Sequence, residues 1–154
     1  MLIIEVLLQL KSKQGDVTAA ILHADLDEEV VMLLRGQLAD LMVEVDKELY
    51  GPYLRKTKSG ESILYVKMLK AMYGLLRGAL LFYLKLVKDL TEYGFELNPY
   101  DPCVANKVVD GSVLTLCFHV DDCKISHKKG KVVDETIDWL REEYEIIFED
   151  GTGA

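Results

Sequence analysis

The stretch 104–126, VANKVVDGSVLTLCFHVDDCKIS, constrains the fold more than any other part of the chain. Two β-rich runs, Val104–Val109 and Ser112–Val120, are separated by nothing but Asp110-Gly111. An Asp-Gly pair there predicts a type I′ hairpin, because both central residues of such a turn need positive φ. A third short run, Cys123–Ser126, comes after only Asp121 and Asp122, so the chain must turn back again at two adjacent aspartates. Three antiparallel strands with tight turns are the expected centre of the fold. Aspartate is an ordinary turn former. Two of them side by side nevertheless repel, and a divalent cation, which takes oxygen ligands, is the other reason to put them there.

Around this centre the periodicity alternates between strand and helix. Val30–Leu34 is expected to be a short strand, followed by a helix near Gln37–Val45. "LYGPYLRKTKSGESILYVKML" predicts a hairpin about a Thr57-Lys58-Ser59-Gly60 turn, with Ile63–Met68 the stronger strand. From Leu76 to Tyr93 the spacing becomes helical, and Leu76, Leu80, Leu84, Val87 and Leu90 mark the expected packed stripe. Gly94 sits where a left-handed C-cap belongs. Val133, Ile137, Leu140 and Tyr144 lay an apolar face on a second helix, which Trp139 is expected to pack onto the sheet or its edge. The tail "FEDGTGA" is expected to be a frayed end, and the start of the chain a short amphipathic helix over 1–12. The whole, 1–154, is expected to be a single α+β domain, an antiparallel sheet with two helices packed on one face.

Half of the residues are apolar and the mean hydropathy is +0.11, which excludes a disordered chain. The net charge of −8 lacks the basic footprint of a free-standing nucleic-acid binder. Three cysteines, Cys103, Cys117 and Cys123, form no Cys-x-x-Cys pair and leave an odd count, which suits a reducing compartment. The apolar start carries Glu5 and Gln9 and lacks a basic n-region, so neither a spanning helix nor a signal peptide is expected. His23, His119 and His127 have no metal-ligand spacing. The glycines form no phosphate loop. Two basic clusters, 55–58 and 124–131, are ordinary for a solvated surface.

Asp16 opens the run "DVTAAILHADLDEEVVM", with a second acidic turn nine residues on. "LKAMYGLLRGALLFY" (69–83) and "NPYDPCVANK", succeeded by "HVDD", complete an ordered set. Together these blocks resemble the palm of a copia-type LTR retrotransposon reverse transcriptase, an RNA-directed DNA polymerase. The likeness covers a palm-like core of about 16–145. The first block resembles the family's D-V-x-x-A-F-L motif, the second its L-K-x-A-L-Y-G-L helix start, and the third its S-D-P-C-L-Y and Y-V-D-D blocks.

The resemblance implies a role for each matching residue. Asp16, Asp121 and Asp122 would be catalytic and would hold two Mg²⁺ (or Mn²⁺) ions. Ile21, where the family has a Phe that gates against ribose, and Arg77 would lie near the nucleotide. Leu80 stands where the family usually carries an arginine. His119, in place of Tyr, and Val120 would lie on the primer side. The partners would be a primer-template, a nucleoside triphosphate and the remainder of a polyprotein, in a cytoplasmic virus-like particle. The family's fingers, thumb and ribonuclease H regions have no counterpart here, so the isolated chain is expected to be inactive. "KSKQG", before Asp16, is polar and contains Gly15 where the family has an apolar strand. Other readings are a non-catalytic α+β binding or interaction module, an Asp-dependent phosphohydrolase and a decayed element remnant.

Overall fold

The computed structural model describes residues 2–149. The fold is α+β with antiparallel sheets and several helices. The chain, read from its sequence as one domain, divides into two compact units: residues up to Ala24 with those from Ala71 onward, and Asp25–Lys70.

The first unit contains α1 (Leu2–Leu8), β1 (Lys11–Val17), a 3₁₀ turn (Ala20–His23), α4 (Gly78–Glu92), β5 (Glu96–Leu97), β6 (Val104–Val109), β7 (Ser112–His119), β8 (Asp122–His127), α5 (Gly130–Glu143) and β9 (Ile146–Glu149). Its six strands run in the order β5-β6-β7-β8-β1-β9, and every neighbouring pair is antiparallel. The two expected turns form. Asp110 and Gly111 have φ of 50° and 72°, as the type I′ hairpin demands.

Leu114, Leu116, Phe118, Cys123 and Ile125 alternate onto one buried face. Both long helices lie on that face. Tyr83 of α4 packs against Phe118 at 6.0 Å between rings, and Asp134 of α5 pairs with Lys13 of β1 at 3.1 Å. Trp139 stacks on Tyr93, beyond the end of α4, with ring centroids 4.0 Å apart. Burying Phe82, Leu86 and Leu90 of α4 contributes about 1.5–3 kcal/mol each.

Helix α4 ends as expected, in a Schellman turn. Gly94 has φ 96°, its N–H donates to Thr91 O at 3.0 Å, and Phe95 N–H donates to Leu90 O at 2.9 Å. Its packed stripe differs from the expectation. Leu76 is 104% exposed and Leu80 and Leu84 are 48% and 50% exposed, while Gly78, Leu81, Phe82, Leu86 and Leu90 are buried. The helix is apolar on two sides, and periodicity alone cannot say which side meets the sheet.

Three other expectations are corrected. The N-terminal helix covers Leu2–Leu8 and not 1–12; Met1 lies outside the described residues, and by Lys11 the chain is already in β1. The polar "KSKQG" is a strand after all, paired with β8 on one side and β9 on the other. Residues 148 and 149 of the supposed frayed tail belong to β9, while the rest of the tail lies outside the described residues. Gly15 lies beneath the Phe148 ring, and a Cβ there would come within 2.7 Å of it. A glycine is therefore what the β1–β9 pairing needs at that point.

The second unit contains β2 (Asp25–Arg35), α2 (Gln37–Val45), α3 (Lys47–Tyr50), β3 (Arg55–Lys56) and β4 (Ser62–Lys70). Its three strands take the order β2-β4-β3, with the expected hairpin joining β3 and β4. Ser62 donates to Asp40 of α2 at 2.5 Å, which fixes that helix on the Ser62 and Leu64 face of the sheet. Among the described residues no helix is long and apolar enough to cross a membrane.

Candidate functional site

The aspartates gather where β1 runs past the β7–β8 hairpin. Asp16 is the register partner of Asp122, and Asp122 in turn is opposite His119. One cross-strand row, Asp16–Asp122–His119, therefore stands on the face of the sheet opposite α4 and α5. Val17 N–H donates to the Asp121 carbonyl at 2.8 Å, so the next row, Asp16 with Asp122, is a non-hydrogen-bonded pair. Side chains approach closest in such pairs, at about 4.5 Å between Cα atoms. Like charges directly opposite destabilise a sheet. Asp16, Asp121 and Asp122 have no side-chain hydrogen bond or ion pair among the described residues.

The turn that presents them is strained. His119 pairs with Asp122, which leaves Val120 and Asp121 as its two central residues. Val120 has φ 54°, a conformation that a β-branched residue adopts only at a cost, of order 1–3 kcal/mol. Positive φ at the first central residue alone is the type II′ pattern, which normally takes glycine there.

Next to the row lies an open depression of about 330 Å³, whose lining includes Gln14, Asp101, Cys117, His119, Asp122 and Lys124. Burial, and then the nearby Asp101, raise the Cys117 thiol above its ordinary pKa. Lys124 shares a face with Asp122, two residues on, but its ammonium is turned to Glu5 of α1 at 2.8 Å. Glu5 is buried, accepts also from Ser12 at 3.3 Å, and leaves Oε1 without a partner among the described residues. Reading the sequence residue by residue missed this clamp. The alternation of β8 would have placed Lys124 beside Asp122, but nothing local points Glu5 at it.

The other expected residues lie further along the chain. Ile21 is buried in the 3₁₀ turn after β1, so close to Gly78 that a Cβ there would come within 2.9 Å of its Cγ2. Arg77 is exposed at the N-cap of α4, one residue before Gly78. These two are thus together at the helix start, and the aspartate row with His119 and Val120 is together at the hairpin. The remaining histidines are structural. His127 is fully buried, with Nε2 at 3.2 Å from Val109 O and Nδ1 accepting from Lys129 N–H at 3.1 Å, and His23 Nε2 lies 3.1 Å from Thr18 O.

Among the described residues no three His, Cys, Asp or Glu side chains are grouped closely enough to hold a metal ion by themselves. What the hairpin offers is a pair of facing carboxylates with a third on the adjacent residue. That donor set fits Mg²⁺, which commonly binds through one or two carboxylates and completes its shell with water and phosphate. No protein-family model, curated protein or solved structure matches the chain.

Proposed function

We propose that the chain is the palm of a copia-type reverse transcriptase, built for metal-assisted nucleotidyl transfer from a nucleoside triphosphate to a primer 3′-hydroxyl. The observation that carries this reading is the register of Asp16 against Asp122, with Asp121 at the tip of the same hairpin. Residues far apart in sequence are brought together at the ends of two paired strands, with no ion pair to any of the three carboxylates among the described residues, and like charges placed so destabilise a sheet.

In this reading Asp16, Asp121 and Asp122 hold two Mg²⁺ ions, which when bound neutralise charge on the triphosphate and on the attacking oxygen. The protein's part is positioning. The strained turn at Val120 presents Asp121 and Asp122 at the strand ends and lies under the primer terminus, with His119 beside it. Ile21, packed on Gly78, sets the wall near the ribose, and the exposed Arg77 guanidinium meets phosphate. The wider setting is a polyprotein, a primer-template and a cytoplasmic virus-like particle. The isolated chain is expected to bind metal without extending a primer.

A Mn²⁺ titration monitored by NMR tests this. Selective broadening of the amides around Asp16, Val120 and Asp122, lost in Asp121→Asn, is the expected result. Diffuse broadening, or broadening that survives the substitution, would leave the aspartates as turn residues and remove the case for a polymerase.

A further inference from the structure

Lys124 stands where a counter-ion for the aspartates would be expected, and it is engaged elsewhere. On β8 it lies two residues beyond Asp122 and on the same face, about 6.7 Å along the strand. Its register partner on β1 is Gln14, two residues before Asp16, which makes Asp16 its diagonal neighbour at about 7–8 Å. A lysine ammonium on its flexible stem reaches a carboxylate at either distance. Two facing carboxylates with a lysine in reach are the makings of an ion pair, and the fold does not form it.

Glu5 is what prevents it. Its Oε2 accepts from the Lys124 ammonium at 2.8 Å and from the Ser12 hydroxyl at 3.3 Å. Glu5 is 7% exposed, and its Oε1 has no hydrogen-bond partner among the described residues. A charge that deep persists only when it is paired, and its unmade hydrogen bond is a cost to the fold. The chain reverses between α1 and β1 to put it there, with Gln9 at φ 53° and Leu10 N–H donating to the Glu5 carbonyl at 2.9 Å. Burial of apolar surface is not the reason for the whole helix to dock, since Val6 and Leu7 are 74% and 76% exposed. The effect of the arrangement is to take Lys124 away from Asp16 and Asp122.

We propose that Glu5 is a positioning residue for the metal site: it holds Lys124 off Asp16 and Asp122 and so keeps both carboxylates open to a divalent cation. The inference rests on the metal-binding reading of the aspartates and adds to it a residue that lies 119 positions before Lys124. An ammonium and a divalent cation compete for the same oxygens, and apparent affinity falls with the fraction of time the site is blocked. Once the Glu5 charge is removed, a Lys124 that occupies the carboxylates about nine-tenths of the time lowers the affinity about tenfold.

The full chain, titrated with Mn²⁺ and followed by broadening of the Asp16 and Asp122 amides, tests this without any turnover. Glu5→Gln keeps the size of the side chain and removes its charge, and it should need about tenfold more Mn²⁺ for half-broadening. Adding Lys124→Met to Glu5→Gln removes the competing ammonium and should restore the wild-type midpoint, which a merely structural role of Glu5 would not allow. Lys124→Met alone should bind Mn²⁺ at least as tightly as wild type. Glu143→Gln, exposed on α5, makes the same change of net charge and should leave the midpoint where it is. Far-UV circular dichroism checks that each variant is folded. An unchanged midpoint in Glu5→Gln, a loss that Lys124→Met does not reverse, weaker binding in Lys124→Met, or an equal loss in Glu143→Gln would each overturn the role given to Glu5 alone. A wild type without selective broadening would instead overturn the metal site, and the inference with it.

Discussion

Adding one methyl group at Gly15 should damage the first unit out of proportion to its size. A Cβ at this position would lie 2.7 and 2.8 Å from two Phe148 ring carbons and 2.9 Å from the Ile147 carbonyl oxygen. All three distances are below any real Cβ contact. The ring can tilt, but the carbonyl belongs to the β9 backbone, whose strand pairs with β1 at this very row. Overpacking of this kind costs about 1–3 kcal/mol, and we expect about 2 kcal/mol for Gly15→Ala. In urea that is a midpoint lowered by about 1 M, given an m-value of 1–3 kcal/mol/M. The double variant with Phe148→Ala should recover part of the loss, because two of the three contacts disappear and the carbonyl contact remains. A coupling of at least 0.5 kcal/mol is then expected in the cycle. Gly15→Ala within about 0.5 kcal/mol of wild type, or strict additivity with Phe148→Ala, would refute the packing argument. Asp16 is the next residue and pairs with both Ile147 and Asp122. The same substitution should therefore weaken the Mn²⁺ broadening.

Buried polar groups give two more expected outcomes. Tyr144→Phe should cost about 1–3 kcal/mol, read by thermal or urea unfolding, because its hydroxyl donates to Asp89, which also holds Lys85 at 2.6 Å. Alkaline pH should unfold the first unit, because burial pushes the Cys123 thiol from 9.0 up to about 12. The unfolded thiol ionises first, so this stability is complete below pH 9 and is lost as pH rises towards 12, at up to about 1.4 kcal/mol per pH unit. Burial, and then Asp89, also hold the Tyr144 hydroxyl above its ordinary value, which steepens the loss above pH 10. Cys123→Ala should flatten the profile of stability against pH between 9 and 10. An unchanged slope would mean that the thiol reaches water in the fold.

Much of the chain is legible from the residues alone. The Asp110-Gly111 hairpin, the Gly94 helix end, the β3–β4 turn and both long helices are local features, each fixed by turn chemistry or by a period within about fifteen residues. Strand β1 is not legible in this way, because its partners on either side supply the reason for its composition. Lys13 answers Asp134, Gly15 makes room for Phe148, and Asp16 faces Asp122. The stripe of α4 is misassigned by periodicity for a related reason. Leu76, Leu80 and Leu84 have the right spacing, but Leu81, Phe82 and Leu86 are equally apolar, and the sheet chooses between the two sides.

The sequence by itself determined the α+β class, the antiparallel hairpins and the aspartates as the residues to question, since turn type and hydrophobic period act between near neighbours. Only the tertiary structure decided that Asp16 stands opposite Asp122, that Glu5 turns Lys124 aside, and that Tyr65 stays exposed on a central strand. Each of these depends on which strands pair and in what register. Register is a long-range choice that the local chain cannot encode, because sliding a strand by one residue moves every side chain to the other face.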